Sequence, residues 1–112
     1  MSESPVHADL AAGRWHTMPL VAQMANVGSE VQRALVAQSG GKPERRDRAV
    51  ARALELFDLS AGDARWRGHR RREILRAREL FCSQFYSDPP TPGDAAFLGR
   101  YFLQFAVAAR GA

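Results

Sequence analysis

The sequence predicts an all-α protein: an antiparallel up-down-up-down four-helix bundle with a flexible N-terminal arm. Three observations carry this expectation. Apolar residues recur at steps of three and four in four separate stretches, and no stretch alternates with the period of two that a half-buried strand requires. Helix-stopping residues fall between these stretches, at Gly40-Gly41, at Ser60 to Gly62 and at Asp88-Pro89-Pro90. The joints are only a few residues long, which favours antiparallel neighbours.

The first helix is the centre of the pattern. In Thr17 to Leu35, Leu20, Met24, Val27, Val31 and Ala34/Leu35 step by four, three, four and three, a stripe suited to burial against other helices. Gln23, Asn26, Glu30 and Arg33 form a polar line beside it. Thr17 is the expected N-cap, its hydroxyl accepting from an orphan N–H of the first turn. Pro19 suits that turn because its missing N–H has no intrahelical partner there. Trp15 is placed to fold over the helix start. Residues 1–13, small and polar with a proline, read as the arm, and residues 14–112 as a single domain.

The second helix is expected from Pro43 to Leu59, with Val50, Ala53/Leu54 and Phe57 buried and Glu44 facing the positive end of the helix dipole. Glu44 and Arg48 form an i,i+4 pair worth roughly 0.3–0.5 kcal/mol at a surface. Asp63 is the expected cap of the third helix, which reaches Tyr86 with Ile74, Ala77, Phe81 and Phe85 on one line. Gly68 inside that pattern costs about 1 kcal/mol relative to alanine, so the helix starts late or bends there. Thr91 and Asp94 have the spacing of a capping box, with Pro92 as first helical residue. Leu98, Tyr101/Phe102, Phe105 and Ala108/Ala109 make the fourth stripe, closed by Gly111.

Composition narrows the function classes. The chain has 112 residues, enough for one domain with a real core. Its formal charge of +4 permits an acidic partner without requiring one. Cys82 is the single cysteine, so no intramolecular disulfide forms and a reducing compartment fits. No apolar run approaches the roughly 20 residues of a membrane span. MSESPVHADL lacks the basic and apolar regions of a signal peptide, so a cytoplasmic protein is expected.

WHTMPLVAQMANVGSEVQRAL, RALELFDL, ARWRG, RRREILRAREL-FC and RYFLQFAVAAR, in that order, resemble an uncharacterised family of small bacterial helical proteins. The resemblance covers roughly residues 11–110, and ANVGSEV-x-RAL is its most specific block. That family has no established activity, so it implies no catalytic residues. A looser likeness, in size, helix count and basic character, is to four-helix-bundle proteins of ribosomal-RNA intervening sequences. Their relatives include the accessory variability determinant of diversity-generating retroelements. This likeness implies an oligomeric basic bundle that contacts nucleic acid and a reverse transcriptase; fold alone does not confer that function.

Three constellations are candidate sites. Arg65, Arg67, Arg70, Arg71, Arg72 and Arg76 crowd the third helix, and the planar guanidinium fork suits phosphate. Trp66 and His69 interleave with them and offer rings for stacking on a base or ribose. The alternative is a solvated face answered by Glu44, Asp47, Glu55 and Asp58, or an acidic protein partner. Asn26 and Glu30, beside a Gly28 that admits close helix approach, form either a polar ligand pocket or a structural polar core. In the second case a buried Glu30 requires a cation, for which Arg78 is the expected partner. The aromatics Phe81, Phe85, Tyr101, Phe102 and Phe105 read as core, or as core plus an oligomer seam.

Nothing in the pattern is catalytic. There is no Glu-x-x-His pair for a di-iron bundle, and His7, His16, His69 and Cys82 lack zinc-ligand spacing. Cys82, among aromatic neighbours, reads as a small buried thiol. Phosphate-loop and dinucleotide fingerprints are missing. The expectation is a non-enzymatic binding or accessory protein without cofactor or metal. It binds RNA or DNA through the third helix or, alternatively, acts as a protein–protein adaptor or homo-oligomeric bundle.

Overall fold

The computed structural model describes residues 13–86 and 94–111. Over these residues the chain forms a short 3-10 turn, Arg14–Thr17, and four α-helices: α1 Leu20–Ser39, α2 Pro43–Ala61, α3 His69–Tyr86 and α4 Asp94–Gly111. The all-α four-helix expectation therefore holds. The arm lies outside the described residues except for Gly13, and so do Thr91 and Pro92 of the expected capping box.

The helix α1 is the hub, packed against both α2 and α4. Along α1 and α2, contacts run in opposite senses, from Gln23–Ser60 to Glu30–Arg52. Between α1 and the α3 segment they run in the same sense, from Gln23–Trp66 to Gln38–Gln84. Met24, Val27, Val31 and Ala34 are buried as their spacing requires, and Gln23, Glu30 and Ala37 extend the buried face by a second line. Phe57 of α2 lies at the middle of the core, its ring centroid 5.6 Å from that of Phe81 and 6.0 Å from that of Phe102.

The helix ends follow local chemistry, with two corrections. Thr17 does not cap α1. The chain first makes the 3-10 turn, in which Thr17 Oγ1 donates back to the Arg14 carbonyl at 2.7 Å, and Pro19 takes the cap position. At the far end of α1, Gly41 adopts φ +66°, the amide of Lys42 reaches the Ala37 carbonyl and that of Gly41 reaches Gln38. This left-handed closure satisfies carbonyls that the last turn leaves open, and glycine adopts it without steric cost. Nor does Asp63 cap α3. Gly68, at φ +61°, delays the helix to His69, and its carbonyl receives the amide of Arg72. Asp63 is left in the joint, buried for another purpose.

Close approach at Gly28 is realised. A Cβ on this residue would lie 2.9 Å from Phe102 Cβ, so α4 rests directly on the α1 backbone there.

Candidate nucleic-acid interface and the polar hub beneath it

The joint between α2 and α3 is built on a buried polar cluster. Gln23 is fully buried and uses its whole amide: Nε2 donates to the Trp15 carbonyl at 2.9 Å and to Asp63 Oδ2 at 3.0 Å. Its Oε1 accepts from Ser60 Oγ at 2.9 Å and from the Trp66 indole N–H at 2.8 Å. Ser60 in turn accepts the Trp15 indole N–H at 3.1 Å. Two tryptophans, a serine and a carboxylate from three segments of chain thus converge on one amide, with each of these buried side-chain donors matched, as the interior demands.

Asp63 closes the cluster. Oδ1 accepts the backbone amide and Nε of Arg65, both at 3.0 Å, and Oδ2 accepts an Arg65 terminal nitrogen at 2.7 Å. His16 Nδ1 lies 3.1 Å from Oδ2, where a protonated Nδ1 donates to the carboxylate. The Arg65 guanidinium holds the Asp63 carboxyl well below the usual carboxylate range, against burial, which pushes it up. Gln23, the Arg65 amide and His16 add to the lowering.

This geometry divides the six candidate arginines. Arg65 is committed, since its guanidinium also donates to the Met18 carbonyl at 2.7 Å. Arg67 Nε donates to the Ala64 carbonyl at 3.0 Å. Arg70 reaches over the Trp66 ring, 5.8 Å from its centroid, with Arg65 closer at 4.4 Å. Arg71, Arg72 and Arg76 are exposed, and no ion pair or hydrogen bond of their side chains occurs among the described residues. Trp66 is not a stacking platform: it is buried, with its N–H spent on Gln23. His69 is exposed beside the arginines.

The acidic residues expected to answer these arginines are engaged elsewhere or apart. Asp58 accepts Arg78 Nε at 3.0 Å, and Asp47 accepts its neighbour Arg46 at 3.0 Å. Glu44 is exposed and forms no pair with Arg48, because the arginine turns to a groove between α1 and α2.

The polar core is real but differently wired. Glu30 is buried and ion-paired, to Arg33 at 2.7 Å and Arg52 at 3.1 Å, rather than to Arg78. Arg78 instead faces α2 at Asp58, with its other arm 3.9 Å from Cys82 Sγ. Cys82 is only partly buried. Asn26 is exposed and donates to the Ala22 carbonyl of its own helix at 2.8 Å, so it does not join Glu30 in a pocket.

Of the aromatics, Phe81 and Phe102 are buried, Phe85, Tyr101 and Phe105 are partly so, and Phe97 and Tyr86 are exposed. The Tyr101 hydroxyl donates to Glu73 Oε1 at 3.2 Å. Among the described residues no His, Cys, Asp and Glu side chains gather as a metal site, and no helix is long and apolar enough to cross a membrane. Protein-family models, curated proteins and solved structures give no match to this chain.

Proposed function

We propose that this chain is a non-enzymatic binding protein that holds RNA or DNA phosphates on the exposed arginines of α3. The observation that carries this reading is that Arg71, Arg72 and Arg76 are exposed without a side-chain partner among the described residues, while Asp58 is already taken by Arg78. Unpaired guanidinium groups on a rigid helix need shed no internal partner before they take a phosphate oxygen. Arg67 and Arg70 extend the surface, whereas Arg65 anchors the joint from which α3 departs. The hydroxyl, imidazole and carboxylate of Ser60, His16 and Asp63 serve the buried cluster, which favours a structural role for them over a catalytic one. The likeness to bundles of ribosomal-RNA intervening sequences points to the same class.

The test is fluorescence anisotropy of labelled RNA and DNA oligomers across a salt series. Phosphate binding falls linearly on a log–log plot, and the triple change Arg71→Glu, Arg72→Glu, Arg76→Glu lowers the slope by about 2 to 3 through lost counterion release. No binding of either oligomer at low salt sinks the proposal.

A second reading, a protein adaptor, rests on α4. Leu103 and Val107, 56% and 59% exposed and one turn apart, present aliphatic surface beside α1, and Phe97 is exposed on the flank facing α3. Sedimentation of the free chain across a concentration series distinguishes self-association through this surface from a monomer awaiting another protein.

A further inference from the structure

A second basic surface lies at the other end of α2, away from the α3 arginines. An open groove of about 510 Å³ runs between α1 and α2 where Gly40 and Lys42 join them. Its rim carries five cations: Arg33 from α1, Lys42 from the joint, and Arg45, Arg48 and Arg52 from α2. The three α2 arginines are spaced by three and four, so they share one helix face. Like charges so close repel one another, and Glu30, buried behind the groove, is already bound to two of them, Arg33 and Arg52. Lys42, Arg45 and Arg48 make no side-chain hydrogen bond or ion pair among the described residues.

The floor has a different character. Ala37 and Ala49 close its bottom at 6% and 1% exposure, and Val36 stands 60% exposed at its side. Arginine stems add methylene surface to such walls while their heads remain in water. Among the described residues no aromatic side chain lines the groove to stack on a base, and its volume falls within the range of small-molecule sites.

We infer that this groove binds a small aliphatic anion, a single alkyl chain ending in a carboxylate or phosphate. Its chain lies on Val36, Ala37 and Ala49, and its head is held by Arg45, Arg48 and Lys42. The charge complementarity selects the head and the aliphatic floor selects the body. Arg33 and Arg52, tethered by Glu30, hold the two walls at fixed separation.

Decyl phosphate, below its micellar concentration, is the probe, titrated into the whole chain by calorimetry and by methyl NMR. Saturable binding is expected, with shifts at the Val36, Ala37 and Ala49 methyls. The pair Arg45→Glu, Arg48→Glu weakens it by more than roughly tenfold, because a charge-assisted contact becomes a repulsion. Val36→Asp also weakens it, while Arg100→Glu with Arg110→Glu, an equal change of net charge, leaves it intact. All substituted positions are exposed, and circular dichroism verifies that each variant folds. Three results overturn the inference: no saturable binding of decyl phosphate, binding of inorganic phosphate just as tight, or binding to phosphatidylglycerol vesicles without binding of the free amphiphile. The last assigns the arginines to a bilayer surface instead.

Discussion

The Trp66 indole N–H donates to Gln23 Oε1 at 2.8 Å, joining the first turn of the hub helix to the segment that launches α3. Because that oxygen also receives the Ser60 hydroxyl, one side chain fixes α1, the end of α2 and the approach to α3 together. The basic surface of α3 is therefore positioned by an uncharged amide buried beneath it.

Replacing that amide by an apolar isostere strands its partners. In Gln23→Leu the Trp66 N–H, the Trp15 carbonyl and one Asp63 contact lose their partner in a dry interior, where each unsatisfied group costs about 1–3 kcal/mol. Partial relaxation leaves an expected loss of about 2–4 kcal/mol in urea unfolding. Wild-type stability in this variant would mean that the cluster is not tightly closed in solution.

Asp63 makes the fold sensitive to acid. Its carboxyl titrates in the folded chain well below the usual carboxylate range, chiefly because of Arg65. A depressed folded pKa contributes stability that is fully present above the unfolded value of about 3.9 and is lost as pH falls below it. Urea midpoints of the wild type should drop steeply below about pH 4, while those of Asp63→Asn start lower at neutral pH and fall less. Parallel curves for the two proteins would remove Asp63 as the source of the acid limb.

The two kinds of arginine in the basic segment should separate by readout. Arg65→Ala leaves the buried Asp63 without its main cation and removes a donor from the Met18 carbonyl, so its melting temperature falls. Arg72→Ala removes an exposed group with no ion pair among the described residues, so melting stays within experimental scatter while nucleic-acid affinity drops. A stable Arg65→Ala variant, or an Arg72→Ala variant as unstable as it, would invert the assignment of roles.

Much of the fold was legible because periodicity reports it directly. The steps of Met24, Val27, Val31 and Ala34 mark the buried side of α1, and Gly41 and Gly68 mark its end and the delayed start of α3. The polar cluster was not legible, because the bonds that Ser60 and Trp66 make in it link residues 37 to 45 apart and depend on how a joint folds. One signal was present: Gln23, Glu30 and Ala37 repeat every seven residues alongside the apolar stripe, so that line belongs to the buried face. Glu30 is the buried ion the sequence leads one to expect, but its cations are Arg33 and Arg52. Proximity to the α3 apolar line favoured Arg78, which instead meets Asp58 across the α2–α3 contact.

The meeting of α1 and α4 gives a paired prediction about glycine. Both Gly28 and Gly99 lie within helices, where alanine gains up to about 1 kcal/mol from propensity alone. At Gly28 the added methyl would sit 2.9 Å from Phe102 Cβ, an atom fixed to its backbone that no rotamer change removes. The helices must move apart, and such overpacking costs typically 1–3 kcal/mol, so Gly28→Ala is destabilising by about 1–2 kcal/mol net. At Gly99 a Cβ meets nothing within 4 Å, so Gly99→Ala is neutral or stabilising. Thermal melts of the two single variants measure the difference. Equal melting temperatures would show that α4 rides on α1 more loosely than the Gly28–Phe102 contact requires.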